Sequence, residues 1–120
     1  MPRTRAQTQR PRLPKVDPEM QRWCALLEAE VSAWRQVRTR PMFGMLALYR
    51  GNRIFAALPL TRAPRTPNSL LVKLPGERDD RLKAAQGPGR AWASLEMTSS
   101  ADLAEALRWL QRAYKKAGAR

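Results

Sequence analysis

The sequence predicts an α+β domain, with an antiparallel β-sheet of about four strands and a helix at each end of the chain. Apolar residues recur at helical spacing in residues 18–35 and again in 103–117, whereas the apolar runs between them have the length of strands. Two of these runs are joined by only Gly51-Asn52, a connection typical of a tight antiparallel hairpin. With 120 residues, of which 43% are hydrophobic, the chain has room for one domain with a modest core.

The first helix is predicted from the signal at its start. Asp17 is placed as the N-cap and Pro18 as the first helical residue, a combination that favours helix initiation. Cys24 lies beside the apolar stripe, so we expect it to be a small buried residue, and as the only cysteine it excludes an internal disulfide. The stripe itself consists of Met20, Trp23, Leu27, Val31 and Trp34.

The first two strands are predicted over residues 42–50 and 53–60. Both are apolar almost throughout, which is typical of central strands. At the start of the first strand we expect Met42 and Phe43 to fill the core. Gly44 should provide either a close backbone approach or a dihedral angle that other residues avoid.

The second half of the domain is predicted to add two strands and a helix. The strands cover residues 70–74 and 91–97, and the polar segment 75–90 between them should contain one short helical turn around residues 80–85. The closing helix starts at a capping box.

That capping box pairs Ser99 with Asp102 in place of the usual glutamate, and Gly118 is the expected C-cap. Residues 17–118 are therefore predicted to form a single domain. Residues 1–16 are basic, contain three prolines and show no apolar period, so we expect a disordered basic tail.

Positive charge is the strongest compositional feature. Lysine and arginine together number 23 against 10 acidic residues, which gives a net charge of +13. From Val31 to Gly76 the chain contains eight cations and no acid. Such a distribution favours polyanions as partners, with nucleic acid ahead of an anionic membrane.

The candidate nucleic-acid-binding residues are the cations of this acid-free segment. Arg50 and Arg53 flank the predicted hairpin turn, so we expect both to project at its tip and to contact phosphates. No aromatic platform for stacking on single strands is evident, because the few aromatic residues mostly fall at core-like positions. A solvated basic surface without a ligand would produce the same pattern. The candidates are Arg38, Arg40, Arg50, Arg53, Arg62, Arg65 and Lys73.

Several runs of residues resemble the N-terminal domain of the TfoX (Sxy) family of competence regulators. They are RPMFG at 40–44, LALY at 46–49, IFAA at 54–57 and LLVKL at 70–74, followed by a closing strand and helix at 92–114. The YjbR/MmcQ group is the nearest alternative family. The resemblance implies an α+β fold over most of the chain. It implies no particular chemistry, because this type of domain is not tied to an established reaction.

The residue types present argue against several classes of function. Histidine is absent and cysteine occurs once, which disfavours a zinc site and removes the commonest general base. We therefore expect a non-enzymatic protein without a metal or cofactor. No apolar run approaches the length of a bilayer span, so we expect a cytoplasmic protein without a membrane partner.

The alternative function is a protein-interaction adaptor in a regulatory pathway. It predicts an exposed apolar or mixed patch, for which Trp92 and Trp109 are the candidate residues. The sequence carries no signal for an oligomeric state.

Overall fold

The computed structural model describes residues 13–75, 79–84 and 91–118, which form one six-stranded antiparallel sheet and two α-helices. The α+β prediction is confirmed, but the expected number of about four strands is too low. In the sheet the strands are ordered β1-β2-β3-β4-β6-β5, and every neighbouring pair is antiparallel. The elements are α1 (Pro18–Val31), β1 (Val37–Met42), β2 (Met45–Arg50), β3 (Arg53–Pro59), β4 (Ser69–Lys73), β5 (Leu82–Ala84), β6 (Trp92–Glu96), a 3₁₀ turn (Ser100–Asp102) and α2 (Leu103–Gly118).

The two strands that the sequence did not predict are the edges of the sheet. β1 has four exposed residues at its centre, so its sequence shows no alternation of apolar and polar residues. It also contains a proline, Pro41, which is unusual within a strand. β5 lies where we expected a helical turn, and that prediction is wrong. Its three residues pair with β6, where Leu82 lies opposite the buried Leu95.

The expected strand over residues 42–50 is in fact interrupted by a turn. β1 and β2 are joined by Phe43-Gly44, and both residues have positive φ, +53° and +80°, as in a type I′ turn. The prediction that Phe43 fills the core is wrong, because its side chain is 81% exposed. Met42 is half-buried. The turn at Gly51-Asn52 is confirmed, with Gly51 at φ +62°.

Gly44 meets both of the conditions that the sequence suggested. Its φ is positive, and a Cβ at this position would lie 2.8 Å from Cγ of Arg62. Its carbonyl oxygen accepts three backbone hydrogen bonds, from the N–H groups of Leu60, Thr61 and Arg62 at 3.0, 2.9 and 3.0 Å. The β1–β2 turn is therefore fixed against the segment that follows β3.

Both described helices pack on the same face of the sheet. Leu46 and Leu48 of β2 lie in one buried cluster with the apolar stripes of α1 and α2. Met45 and Ala47 are also buried but lie outside that cluster, because successive side chains of a strand point to opposite faces. A register shift beside Leu48 lets Phe55 of β3 also point towards the helices.

The other surface of the sheet, which neither described helix covers, is called here the open face. One row of paired residues crosses all six strands on this face: Arg40, Ala47, Ala57, Leu71, Ser94 and Lys83. By the same alternation the open face also contains Arg38, Met45, Tyr49, Ile54, Lys73, Trp92 and Glu96.

The start of each helix agrees with the capping signals, although the Asp17 side chain makes no capping hydrogen bond, and Gly118, the expected C-cap, is instead the last residue of α2. α1 begins at Pro18 after Asp17 but ends at Val31, earlier than the expected residue 35. Ser99 and Asp102 form the expected capping box. No helix among the described residues is long and apolar enough to cross a bilayer.

Part of the expected N-terminal tail is described, and it contacts the domain. Lys15 forms a β-bridge with Arg62, and the N–H of Ala63 donates to the carbonyl of Pro14 at 2.8 Å. Val16 is buried in the core. Residues 1–12 lie outside the described residues, so the expected disorder of that part stays a prediction.

Cys24 is buried, as its place beside the helical stripe predicts, and 5% of its surface is exposed. Burial raises the pKa of the Cys24 thiol from 9.0 to about 12, because the thiolate loses its hydration. At pH 8 we expect the folded protein to react with an aromatic disulfide reagent about a thousandfold more slowly than the urea-unfolded protein. Equal rates in the two states would contradict the buried position.

Candidate nucleic-acid interface

Arg38 and Arg40 are the candidate residues that the structure places side by side in solvent. Both are exposed, and they lie two positions apart on β1, so their side chains share the open face. In register, Arg38 is opposite Tyr49. These three residues line a depression of about 620 Å³ together with Thr39 and the turn Gly51-Asn52. The strand pairing therefore creates a shallow basic site with one half-buried aromatic ring.

Charge is distributed unequally between the two layers of the molecule. Among the described strands, Glu96 is the one acidic residue, whereas β1 to β5 contain arginine and lysine without an acid. The other described acids lie on the helices, at their starts or in the loop before β5. Within residues 13–75, 79–84 and 91–118, no carboxylate forms an ion pair with Arg38 or Arg40.

The outer edge of β1 is poorly suited to pairing with a further strand. Pro41 has no N–H to donate, and the N–H of Val37 is already bonded to the carbonyl of Trp34 at 3.3 Å. Charged side chains at Arg38 and Arg40 also disfavour edge-to-edge association. Charged side chains of either sign would protect the edge of β1 from pairing, so this protection does not explain why both charges are positive.

Arg53 is exposed beside the hairpin turn, as the sequence suggested, whereas Arg50 is half-buried, and the side chains of both contact α2. The Arg50 guanidinium lies 4.2 Å from the centre of the Tyr114 ring, and its Nη1 donates to the Tyr114 carbonyl at 3.1 Å. Nη1 of Arg53 donates to the carbonyl of Ala117 at 3.5 Å. Both side chains thus bind the C-terminal carbonyls of α2, where a positive charge is stabilised by the helix dipole.

The other three candidates lie in separate places. Nη1 of Arg62 donates to the carbonyl of Leu13 at 3.0 Å, so this side chain fixes the N-terminal segment. Arg65 is exposed in the loop between β3 and β4. Lys73 is half-buried at the end of β4, in a depression of about 490 Å³ beside the last turn of α2. The seven candidate cations therefore do not form one surface.

Phe43 is a residue of interest that the sequence reasoning assigned to the core. It occupies the tip of the β1–β2 hairpin, three residues after Arg40. The pairing of β1 with β2 is what places Phe43 in a turn rather than in a strand. The signal in the sequence is Phe-Gly at the point where a two-residue turn would join residues 37–42 to 45–50.

The residues proposed for a protein-interaction patch are half-buried. Trp109 packs against the core, and its Nε1 donates to Oε2 of Glu105 at 3.3 Å. Trp92 lies on β6 opposite Lys73. Because both tryptophans are half-buried rather than buried, the expected patch around them stays a prediction.

Glu105 belongs to the ion pair that connects the strand β5 region to α2. Nε of Arg81 donates to both carboxylate oxygens of Glu105, at 3.1 and 3.0 Å. The hydrogen bond from Arg81 is the main cause that holds the pKa of the Glu105 carboxyl below its usual value. Among the described residues, no group of three or more histidine, cysteine or acidic side chains is arranged to hold a metal ion.

Comparisons of the chain with protein-family models, with curated proteins and with solved structures find no match.

Proposed function

We propose that this chain is a non-enzymatic domain of the TfoX N-terminal type that binds nucleic acid weakly and with little sequence preference through its open face. The family part of the proposal is supported by the runs of residues that resemble that family, above all Arg40 to Gly44. The binding part is supported by one observation. Arg38 and Arg40 are exposed on one face, beside Tyr49, without a carboxylate partner among the described residues.

The chemistry of this face fits a phosphate backbone better than a specific sequence. Guanidinium groups on adjacent same-face positions of a strand can each contact a phosphate, and such contacts release counterions without reading bases. Contacts of this kind do not need a recognition helix in a groove of the nucleic acid. The expected binding is therefore ionic and strongly dependent on salt.

The test is the removal of the two arginine charges on β1. We expect the double variant Arg38→Gln/Arg40→Gln to bind a fluorescent single-stranded oligonucleotide about tenfold more weakly than the native protein at about 50 mM salt. The slope of log affinity against log salt should fall by about 1.4, which corresponds to two lost phosphate contacts on a single strand. Fluorescence anisotropy at several salt concentrations measures both quantities.

A matched control removes the same net charge from the helix layer. Arg22 on α1 and Arg108 on α2 are exposed, so Arg22→Gln/Arg108→Gln tests the effect of total charge alone. If both double variants lose affinity equally, the binding depends on net charge and the assignment of the open face is wrong. If the native protein binds neither a single-stranded nor a duplex oligonucleotide at low salt, the proposed function is wrong.

A further inference from the structure

We propose that Phe43 stacks on an unpaired base, and that the ligand of the open face is therefore single-stranded nucleic acid. This inference rests on the proposed function and names the form of nucleic acid that the same site binds. It is carried by the exposure of Phe43, by its backbone conformation and by the way in which its turn is fixed.

Phe43 presents an aromatic ring to solvent from a supported position. The side chain is 81% exposed, more than any other large hydrophobic residue among those the structure describes. The neighbouring Gly44 is bound through its carbonyl oxygen to three backbone N–H groups of the chain after β3. The side chain of Arg62 lies against Gly44 on the side where a Cβ would project. The turn that carries the ring is thus held in place before any ligand binds, and a preorganised contact loses less entropy on binding.

The identity of residue 43 is unfavourable for the turn that contains it. At φ +53° Phe43 adopts a left-handed conformation that bulky residues rarely occupy, and asparagine is the preferred residue at this position of a type I′ turn. Neither folding nor solubility accounts for an exposed phenylalanine there. A contact with a ligand does account for it, because strained residues persist where they serve a site.

The position of Phe43 relative to the β1 arginines suits an extended strand. Arg38, Arg40 and Phe43 follow one another along the same hairpin, and the distance from Arg38 to Phe43 is about 17 Å at the usual rise of a strand. A single strand can place its phosphates near the two arginines and one base on the ring. Base stacking on an aromatic side chain tolerates any sequence, in agreement with the weak sequence preference that we propose.

Duplex DNA and membranes fit these features less well. In a duplex the bases are already stacked on their neighbours, and a hairpin tip has no free base face to contact unless the duplex is opened. Insertion into a bilayer depends on buried apolar area, and the one exposed phenylalanine of the β1–β2 turn supplies little. One ring is sufficient to stack on one base.

The experiment compares three probes: an oligonucleotide of about 20 nucleotides, the corresponding duplex, and vesicles with an anionic phospholipid. We expect Phe43→Ala to lower single-strand affinity about tenfold and to leave duplex affinity unchanged. Phe43→Trp should bind the single strand at least as well as the native protein. Quenching of the introduced tryptophan relative to the native protein should then follow the binding curve.

Phe43→Asn provides the control for folding. It should unfold at an equal or higher temperature than the native protein, because asparagine tolerates positive φ, yet bind the single strand as weakly as Phe43→Ala.

The stacking role is overturned if Phe43→Ala binds the single strand like the native protein, or if it loses single-strand and duplex affinity equally. It is also overturned if only vesicle binding depends on Phe43. Absence of native binding to both nucleic acids would overturn the proposed function as well, whereas salt-dependent binding that ignores Phe43 overturns the stacking role alone.

Discussion

Replacing Gly44 with alanine should lower the free energy of unfolding by about 3 kcal/mol. A left-handed residue with a Cβ costs about 1–2 kcal/mol, and Gly44 has φ +80°. The new methyl group would also lie 2.8 Å from Cγ and 2.9 Å from Cβ of Arg62. These atoms are close to the Arg62 backbone, so they cannot swing away as the end of a long side chain can. Urea denaturation of the two proteins measures the difference.

Gly51→Ala is the matched control for this prediction. Gly51 also has a positive φ, +62°, at the tip of a two-residue hairpin, but a Cβ there would meet no atom within 4 Å. Its substitution should therefore cost only the conformational part, about 1–2 kcal/mol. The difference between the two variants isolates the overlap with Arg62. Equal destabilisation by both substitutions would show that the β1–β2 turn is not fixed against the chain after β3.

The helices could be predicted from the sequence because their signals are local. Asp17 and Pro18 mark the start of α1, and the capping box from Ser99 to Asp102 marks the approach to α2. Each of these signals lies within one turn of the element that it starts. The turn at Gly51-Asn52 is local in the same sense, and it was predicted at the correct residues.

The edge strands and the position of Phe43 could not be predicted because they depend on pairing. β1 is exposed on both faces, so its sequence lacks the alternation that identifies a half-buried strand. Without β1, residue 43 is read as the beginning of a buried strand, and its apolar side chain suggests the core. With β1 in place, residue 43 occupies a turn. The hydrophobicity of Phe43 indicated that it would be buried. It is exposed because the register of β1 with β2 places it in the turn between them.

The contacts of Arg50 and Arg53 with α2 could not be predicted for a similar reason. Next to a hairpin turn, Arg50 and Arg53 have no sequence neighbour that would bind them, so exposure was the natural expectation. The partner of Arg50 is Tyr114, which is 64 residues away along the chain. The charge pattern correctly directed attention to the acid-free segment. It could not tell the arginines that stabilise the fold from those that remain available for a ligand.

That distinction predicts opposite behaviour for Arg50 and Arg38. Arg50→Ala should lower the free energy of unfolding by about 2 kcal/mol, because a charge-assisted hydrogen bond and a cation–π contact are lost. The loss extends to Tyr114, whose ring packs against Trp34 and Phe55 with centroids 5.1 and 5.6 Å apart. Arg38→Ala, at an exposed position of the edge strand, should change the stability by less than about 0.5 kcal/mol.

Under native conditions the order of the two variants should be reversed for binding. Arg38→Ala should weaken oligonucleotide binding, whereas folded Arg50→Ala should bind nearly as well as the native protein, because its guanidinium is occupied by the carbonyl and ring of Tyr114. Arg50→Lys keeps the charge but loses the planar group, so its stability should be intermediate. If Arg50 instead projected at an exposed hairpin tip, Arg50→Ala would bind the oligonucleotide more weakly and its stability would be unchanged. Urea denaturation and anisotropy on the same preparations decide between them, since a charge that serves to hold α2 on the sheet is not available to hold a phosphate.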